Sequence, residues 1–538
     1  MVNRDNLLLL GILTLALCLR LWGISFGLPY VGSYDDEPRL ADSALNLLRQ
    51  DKLDFPQWEI GNAQIYLQAL IGRIVFAVQG VDAGEAPTYA EIVSVNKITA
   101  AAIDVPYPLP EFYFWGRASV AILGGFSVIL LYLIGKEVKS SRVGLISAFF
   151  LASISLHAEH SHYLTRAVPG VFFLLLAFYI ILRTYLRQNW WFYLVSLLLA
   201  YIAVYTKQNN LIILAPLSLA LTMSVWYEFK HRPTLEVIKY IGLIGGVVVI
   251  IFTLSWVFFQ FNIFTYGRSI FYRIFFHSFV FGGYQFGYSG DNTFRWIIER
   301  FFIDPRADWR LVAFLAIPGI WLAFRLRERG WLFLAILIPY LLMMSFFTVR
   351  FENWLMPIVP FLALLAALSL DWIYERIDQT AIIRQPYWLA LFCLIVILIP
   401  FASIRTIATL NYYTSQPDVR QVAGQWLQVN LPHGSRVVVD SWGPYLDSPH
   451  LDVVYVGFIG DKDLQTYRDE QVDYLVVNSI SLLRMVVVGQ SDPKAGELVE
   501  TRARSVEQIM KELPLEREFV GPAMLNPPVI NVLIYRVR

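Results

Sequence analysis

The stretch LLLLGILTLALCLRLWG (7–23) is long and apolar enough to enter a bilayer. Asp35-Asp36-Glu37 follows about ten residues after it ends. Arg4 precedes the stretch, and no A-x-A-type cleavage site follows it, so it reads as a retained first span and not as a removed leader. Neither insertion nor packing requires three carboxylates just past the far end of that span. They put negative charge and proton acceptors at the membrane surface, where a substrate with its tail in lipid and its head in water is within reach.

The rest of the chain has the same character. Of its 538 residues 57% are hydrophobic and only 16% charged, where a soluble protein would carry about 25% charged. Mean hydropathy is +0.53. The reading is a polytopic α-helical membrane protein with about eleven spans, at 7–23, 112–134, 143–160, 168–187, 190–206, 210–227, 239–260, 310–325, 331–347, 354–373 and 387–405. Net charge of +1 gives no basis for nucleic-acid binding. Cys18 and Cys393 both fall within spans and read as small apolar fillers.

Lysine and arginine set the orientation. They gather in one alternate set of loops: Lys136, Lys139 and Arg142; Arg183 and Arg187; Lys230, Arg232 and Lys239; Arg325, Arg327 and Arg329; Arg376 and Arg384. That set is expected to be cytoplasmic, with the N-terminus, in an inner or plasma membrane. Asp35, Asp36, Glu37 and the C-terminal segment are then extracytoplasmic. Residues 1–405 read as the transmembrane domain. Its first outer loop, 25–111, is too long for a connector and carries two amphipathic stretches, Ala41 to Leu53 and Ile65 to Val78, expected at the membrane surface. A second outer loop, 261–309, is rich in aromatic residues and arginine. Residues 406–538 read as a soluble extracytoplasmic α/β domain. A helix is expected over Asp418 to Leu431, between Pro417 and Pro432, with strands at 435–440, 451–456, 472–478 and 529–537.

Several ionisable residues fall at the expected outer ends of spans. Asp36 and Glu37 stand at the start of a helix, where acidic groups also serve as ordinary caps. His157, Glu159, His160 and His162 cluster in SLHAEHSHYLTR. His160 and His162 are candidates for substrate or metal contact, but the spacing is not that of a closed metal site, and metal dependence stays open. Lys207 lies between two apolar runs in YTKQNN, Arg350 lies in TVRFENWLMP, and Arg117 lies a few residues into the second span. Three cations at one depth on separate helices suit a phosphate or pyrophosphate. There is no G-x-x-x-x-G-K-[ST] loop to imply a nucleotide.

These stretches together resemble the C-type (GT-C) glycosyltransferases, in particular the dolichyl-phosphate-mannose–protein mannosyltransferase and aminoarabinose transferase group. The resemblance runs through DEPRLADSALNLLR (36–49), FYFWGRASVAILGGFSVILLYLIGKEV (112–138), HSHYLTRAVPGVFFLLLAF (160–178), AVYTKQNNLIILAPL (203–217) and VRFENWLMPIVPFLALLAA (349–367). It implies a GT-C-like fold and a sugar donor carried on a polyprenyl phosphate, with transfer to a protein, lipid or glycan acceptor at the outer face. It implies Asp36 as the base supported by Glu37, with Lys207, Arg350 and Arg117 at the lipid phosphate. Asp35, His160, His162 and Tyr288 are further candidates for substrate or metal contact. The chain departs from the pattern at Ala167, where many relatives carry Asp, and at FGYSGDN (286–292), which offers Tyr288 where relatives often hold Gly-His. A flippase of lipid-linked glycans and a degenerate glycan-binding relative are the alternatives.

Overall fold

The computed structural model describes residues 4–32, 34, 36–50, 63–96, 98, 103–189, 191–231, 238, 242, 245–246, 279–281, 284–286, 298–299, 302, 309–344, 352–379, 386–479, 496–521 and 531–538. The chain divides into two compact units. The first comprises Met1–Trp22, Asp51–Leu67 and Arg117–Thr409; the second comprises Gly23–Gln50, Gln68–Gly116 and Leu410–Arg538.

The first unit is helical. Its elements include α1 (Arg4–Leu21), most of α5 (Pro110–Val138), α6 (Ser141–Ser153), α7 (Ser155–His160), α8 (Ala167–Arg187), α9 (Trp191–Thr206) and α10 (Leu214–His231). Later in the chain come α11 (Arg310–Arg325), α12 (Glu328–Met344), α13 (Val359–Gln379), α14 (Pro386–Leu398) and the first part of α15 (Phe401–Thr414). Pro110 begins α5, where its missing N–H costs nothing. Helices overlie every expected span except 239–260, which falls almost entirely outside the described residues. Among the described residues, Pro110–Val138, Ala167–Arg187, Asn209–Lys230 and Phe392–Tyr412 are long and apolar enough to cross a membrane. The expected span 143–160 is two helices, because the chain turns extended at Ile154 (φ −68°, ψ 120°). Close packing relies on small residues, as in membrane bundles. A Cβ on Gly319 of α11 would run into the Leu365 carbonyl of α13, and Ser369 Oγ donates to Leu315 O across the same seam at 2.6 Å.

Ion pairs join several of the cation-rich loops at one end of this bundle. Lys139 Nζ stands 2.6 Å from Asp371 Oδ2 and 2.8 Å from Glu375 Oε2. Arg142 pairs with Asp371 and lies over the Tyr374 ring, 3.9 Å from its centroid. Arg183 Nε is 3.6 Å from Glu137 Oε1, and Arg329 Nη1 donates to the Glu137 carbonyl at 3.0 Å. Loops grouped by composition alone therefore meet in space.

The second unit holds α2 (Asp36–Gln50), most of α3 (Ala63–Gln79), α4 (Tyr89–Val95), α16 (Val419–Asn430), α17 (Leu464–Asp469) and α18 (Gly496–Glu512). Strands β1 (Tyr30–Val31) and β2 (Val105–Pro106) pair antiparallel. A five-stranded sheet is built from β5 (Arg436–Val439), β6 (Asp452–Tyr455), β7 (Tyr474–Asn478), β8 (Leu515–Val520) and β9 (Asn531–Arg536), in the order β6-β5-β7-β9-β8. β5 runs parallel to β6 and β7, while β9 is antiparallel to β7 and β8. In the first unit, β3 (Phe279–Phe281) and β4 (Tyr284–Phe286) pair antiparallel. β7 (YLVVN) is buried along its whole length, as a central strand flanked on both faces must be. Val438, Leu475 and Val477 pack with Ile459, Leu464, Ile509 and Tyr535 into the core of the second unit.

A buried polar knot fastens the residues after the first helix to the C-terminal segment. Arg420, fully buried, pairs with Asp418 at 2.7 Å and lies 3.9 Å from Asp104. Gln421 Nε2 donates to Gly27 O at 2.7 Å. Asp418 also caps α16 by accepting from Arg420 N.

Candidate functional site

Asp36 is the first residue of α2, exposed, and Glu37 beside it is fully buried. The helix thus begins two residues before Pro38, so Asp36 and Glu37 sit in its first turn, at the positive end of the helix dipole. Glu37 N donates to Tyr34 O at 3.1 Å. The Glu37 charge also acts on the Tyr113 phenol, a neighbour in the same unit.

Farther along α2, Asp42 accepts from the backbone N–H groups of Tyr89 (2.7 Å) and Ala90 (3.0 Å) at the start of α4. Thr88 and Glu91 close a capping box there. Arg49 grips Glu91 with two bonds, at 2.7 and 2.9 Å, and holds the Glu91 carboxyl down at about 2. α2 is therefore held at two points by the turn that starts α4. Burial pushes the Asp42 carboxyl up to about 6, against the pull of the two N–H donors. Its folded value lies above its unfolded one, so the protonated form is favoured by folding. Stability from this group is full below about pH 4 and is lost as pH rises through about 6. The melting temperature of the wild type relative to Asp42→Asn is expected to improve steadily from pH 7 to pH 5. A difference that stays flat over that range refutes the assignment.

The other candidates lie in the first unit. Lys207 follows the last residue of α9, in extended backbone (φ −151°) before a short 3-10 turn, Gln208–Ile213. Its Nζ donates to the Asn353 carbonyl at 3.3 Å. Asn210 Nδ2 donates to Gly170 O and Ala203 O, both at 2.9 Å, tying this turn to the start of α8. A Cβ on Gly170 would meet Lys207 Cβ at 3.0 Å, so the glycine admits the lysine stem. Asn209 Nδ2 donates to the Tyr340 hydroxyl at 3.3 Å, and that hydroxyl in turn donates to Trp354 O. The Lys207 charge acts on His160. α7, which ends at His160, packs against α8 and against Glu352–Leu355, the turn whose Asn353 carbonyl accepts from Lys207 Nζ. Arg183, in the ion-pair network, lies thirteen residues beyond Gly170 along α8, or about 20 Å at 1.5 Å per residue.

Arg117 is fully buried, near the start of α5. It lies about 30 Å along the helix from Glu137, at the end away from the network. His162 is also buried. Its Nδ1 faces Ala158 O and its Nε2 faces Trp22 O, each at 2.9 Å. The first-unit candidates thus collect at one end of the bundle, while Asp36 and Glu37 belong to the second unit. Asp35, Tyr288 and Arg350 lie outside the described residues. Among the described residues no group of three His, Cys, Asp or Glu is placed to hold a metal ion.

Sequence reasoning passed over Asn210, Asn353 and Tyr340. The polar triplet Gln208-Asn209-Asn210 between two apolar runs was the available signal for the first. The others become neighbours of the turn only through tertiary packing.

Residues 114–256 match the family described as dolichyl-phosphate-mannose-protein mannosyltransferase. The apo oligosaccharyltransferase of Archaeoglobus fulgidus superposes with a TM-score of 0.54 at 12% identity, over 91% of this chain and 71% of that one. The chain shares the fold of that oligosaccharyltransferase. The Archaeoglobus fulgidus enzyme AglB, in complex with an inhibitory peptide and a dolichol-phosphate, aligns to this chain with a TM-score of 0.50 at 11% identity, over 90% and 71%. Apo ArnT from Cupriavidus metallidurans aligns over 98% of both chains at 11% identity, with a TM-score of 0.47. No curated protein matches the chain by sequence.

Proposed function

We propose that this integral membrane protein transfers a sugar from a polyprenyl-phosphate donor to an acceptor at the extracytoplasmic face. The observation that carries the reading is Lys207. It is a cation at the end of an apolar helix, seated on a carbonyl and a glycine, and the turn that supplies the carbonyl packs against α7, which ends at His160. It stands at the end of the bundle away from the loops rich in lysine and arginine. If those loops are cytoplasmic, this end is extracytoplasmic. The structural neighbour AglB was solved in complex with a dolichol-phosphate, the kind of lipid phosphate that such a transfer leaves behind.

In the proposed reaction Asp36 takes the proton of an acceptor hydroxyl or amine, with Glu37 supporting it. The acceptor atom bonds to the anomeric carbon as that carbon's bond to the phosphate oxygen breaks. The electron pair stays on the phosphate, and Lys207, Arg350 and Arg117 offset the charge that grows there. The sugar and the acceptor are not specified by these residues. A first test is transfer from a panel of polyprenyl-phosphate sugars by the purified full chain in proteoliposomes. Lys207→Met is expected to weaken undecaprenyl-phosphate binding by about 10- to 100-fold, the scale of one charge-assisted hydrogen bond. Wild-type affinity in that variant removes Lys207 from the phosphate site.

A further inference from the structure

We propose that Arg20 is a positioning residue for the lipid-phosphate site, acting through the turn that presents His160. The proposal deepens the glycosyltransferase reading and rests on its phosphate site. Arg20 lies in the last turn of α1 and is fully buried. Its Nη1 donates to Ala16 O at 3.0 Å and to Ala152 O at 2.9 Å. Its Nη2 donates to Leu151 O at 3.0 Å and to His157 Nδ1 at 3.0 Å.

Each contact has a physical reason. α6 stops at Ser153, so the carbonyls of Leu151 and Ala152 lose their helical partners. Carbonyls shut away from water must find a donor within the protein. A guanidinium supplies both bonds and places its charge at the negative end of the helix dipole. Arginine cannot accept, so His157 Nδ1 must, and the His157 proton sits on Nε2. This fixes the orientation of His157.

The turn beyond is then determined. Ser161 Oγ donates to His157 O at 2.7 Å, and the His162 ring stands between Ala158 O and Trp22 O. His160 lies between these anchors at the end of α7, and α7 packs against Glu352–Leu355, the turn whose Asn353 carbonyl accepts from Lys207 Nζ. Gly124 of α5 completes the seat. A Cβ there would stand 2.7 Å from Ser161 Oγ and 3.1 Å from Arg20 Nε.

The experiment measures binding of undecaprenyl phosphate to the purified full chain in nanodiscs, with undecaprenol as the phosphate-free control and melting temperature recorded for each variant. Arg20→Met is expected to bind about tenfold more weakly, with undecaprenol binding unchanged. In a Lys207→Met background it is expected to cost nothing more, because both changes act on one phosphate contact. His157→Asn, whose Oδ1 still accepts from Arg20, is expected to bind within about twofold of wild type, and His157→Leu about as weakly as Arg20→Met. A folded Arg20→Met protein with wild-type affinity, or losses that add fully to those of Lys207→Met, overturns the proposal. Should Arg20→Met not fold, His157→Leu decides by the same two readouts. A folded wild type with no preference for the phosphate over undecaprenol overturns the phosphate-site reading itself, a result distinct from failure of the Arg20 step.

Discussion

Asp36→Asn is expected to lower sugar transfer by about 10²- to 10⁴-fold, the usual contribution of a positioned general base. The asparagine amide fills almost the same space and cannot take a proton from the acceptor. Asp36 is exposed in the first turn of α2, where a negative charge adds only about 0.3–1 kcal/mol through the helix dipole. Stability should therefore barely change while turnover collapses. Turnover and melting temperature measured on the same preparation separate the two effects. Glu37→Gln should show a smaller loss of turnover with a larger loss of stability, since Glu37 is buried. Undiminished turnover in Asp36→Asn removes Asp36 from the mechanism and leaves it a helix cap.

What was legible in the sequence follows from where each signal lives. Strands β5, β6, β7 and β9 showed as apolar, β-branched runs because their side chains are mostly buried, and they lie where 435–440, 451–456, 472–478 and 529–537 were expected. β8, LEREFV, went unread. It is an edge strand, largely exposed, and its charges interrupt the apolar pattern while keeping the edge from pairing with another chain. The break at Ile154 was hidden for the opposite reason: hydrophobicity continues unbroken across it, so 143–160 read as one span. Lys207 was legible as a cation between two apolar runs. Asn353 and Gly170, which seat it, were not, because that pairing depends on how α8, α9 and the turn before α13 pack. Arg20 stood in plain view inside an apolar run. A charge so placed must find partners, but sequence does not show that they are carbonyls more than 130 residues away.

The second large effect is on stability and lies at the other end of the bundle. Asp371 in α13 has no exposed side-chain surface, while its partners Lys139 and Arg142 are 24% and 37% exposed. Asp371→Ala is expected to destabilise the protein by about 2–4 kcal/mol. Removing one member of a fully buried pair costs about 3–5 kcal/mol; here the abandoned cations can partly rehydrate, which lowers the figure. Glu375→Gln should cost less than about 1 kcal/mol, because Glu375 is 44% exposed and its pairs are screened. Asp371 belongs to the network joining the cation-rich loops, about 20 Å along α8 from the Lys207 turn. Folded Asp371→Ala should therefore bind undecaprenyl phosphate like the wild type, the reverse of the outcome expected for Lys207→Met. Denaturant unfolding in detergent checks the first half and the nanodisc assay the second. A stable Asp371→Ala protein would mean that Lys139 and Arg142 need no buried anion. Weakened phosphate binding in the folded variant would mean that the two ends of the bundle are coupled, and the assignment of structure to one end and chemistry to the other would fail.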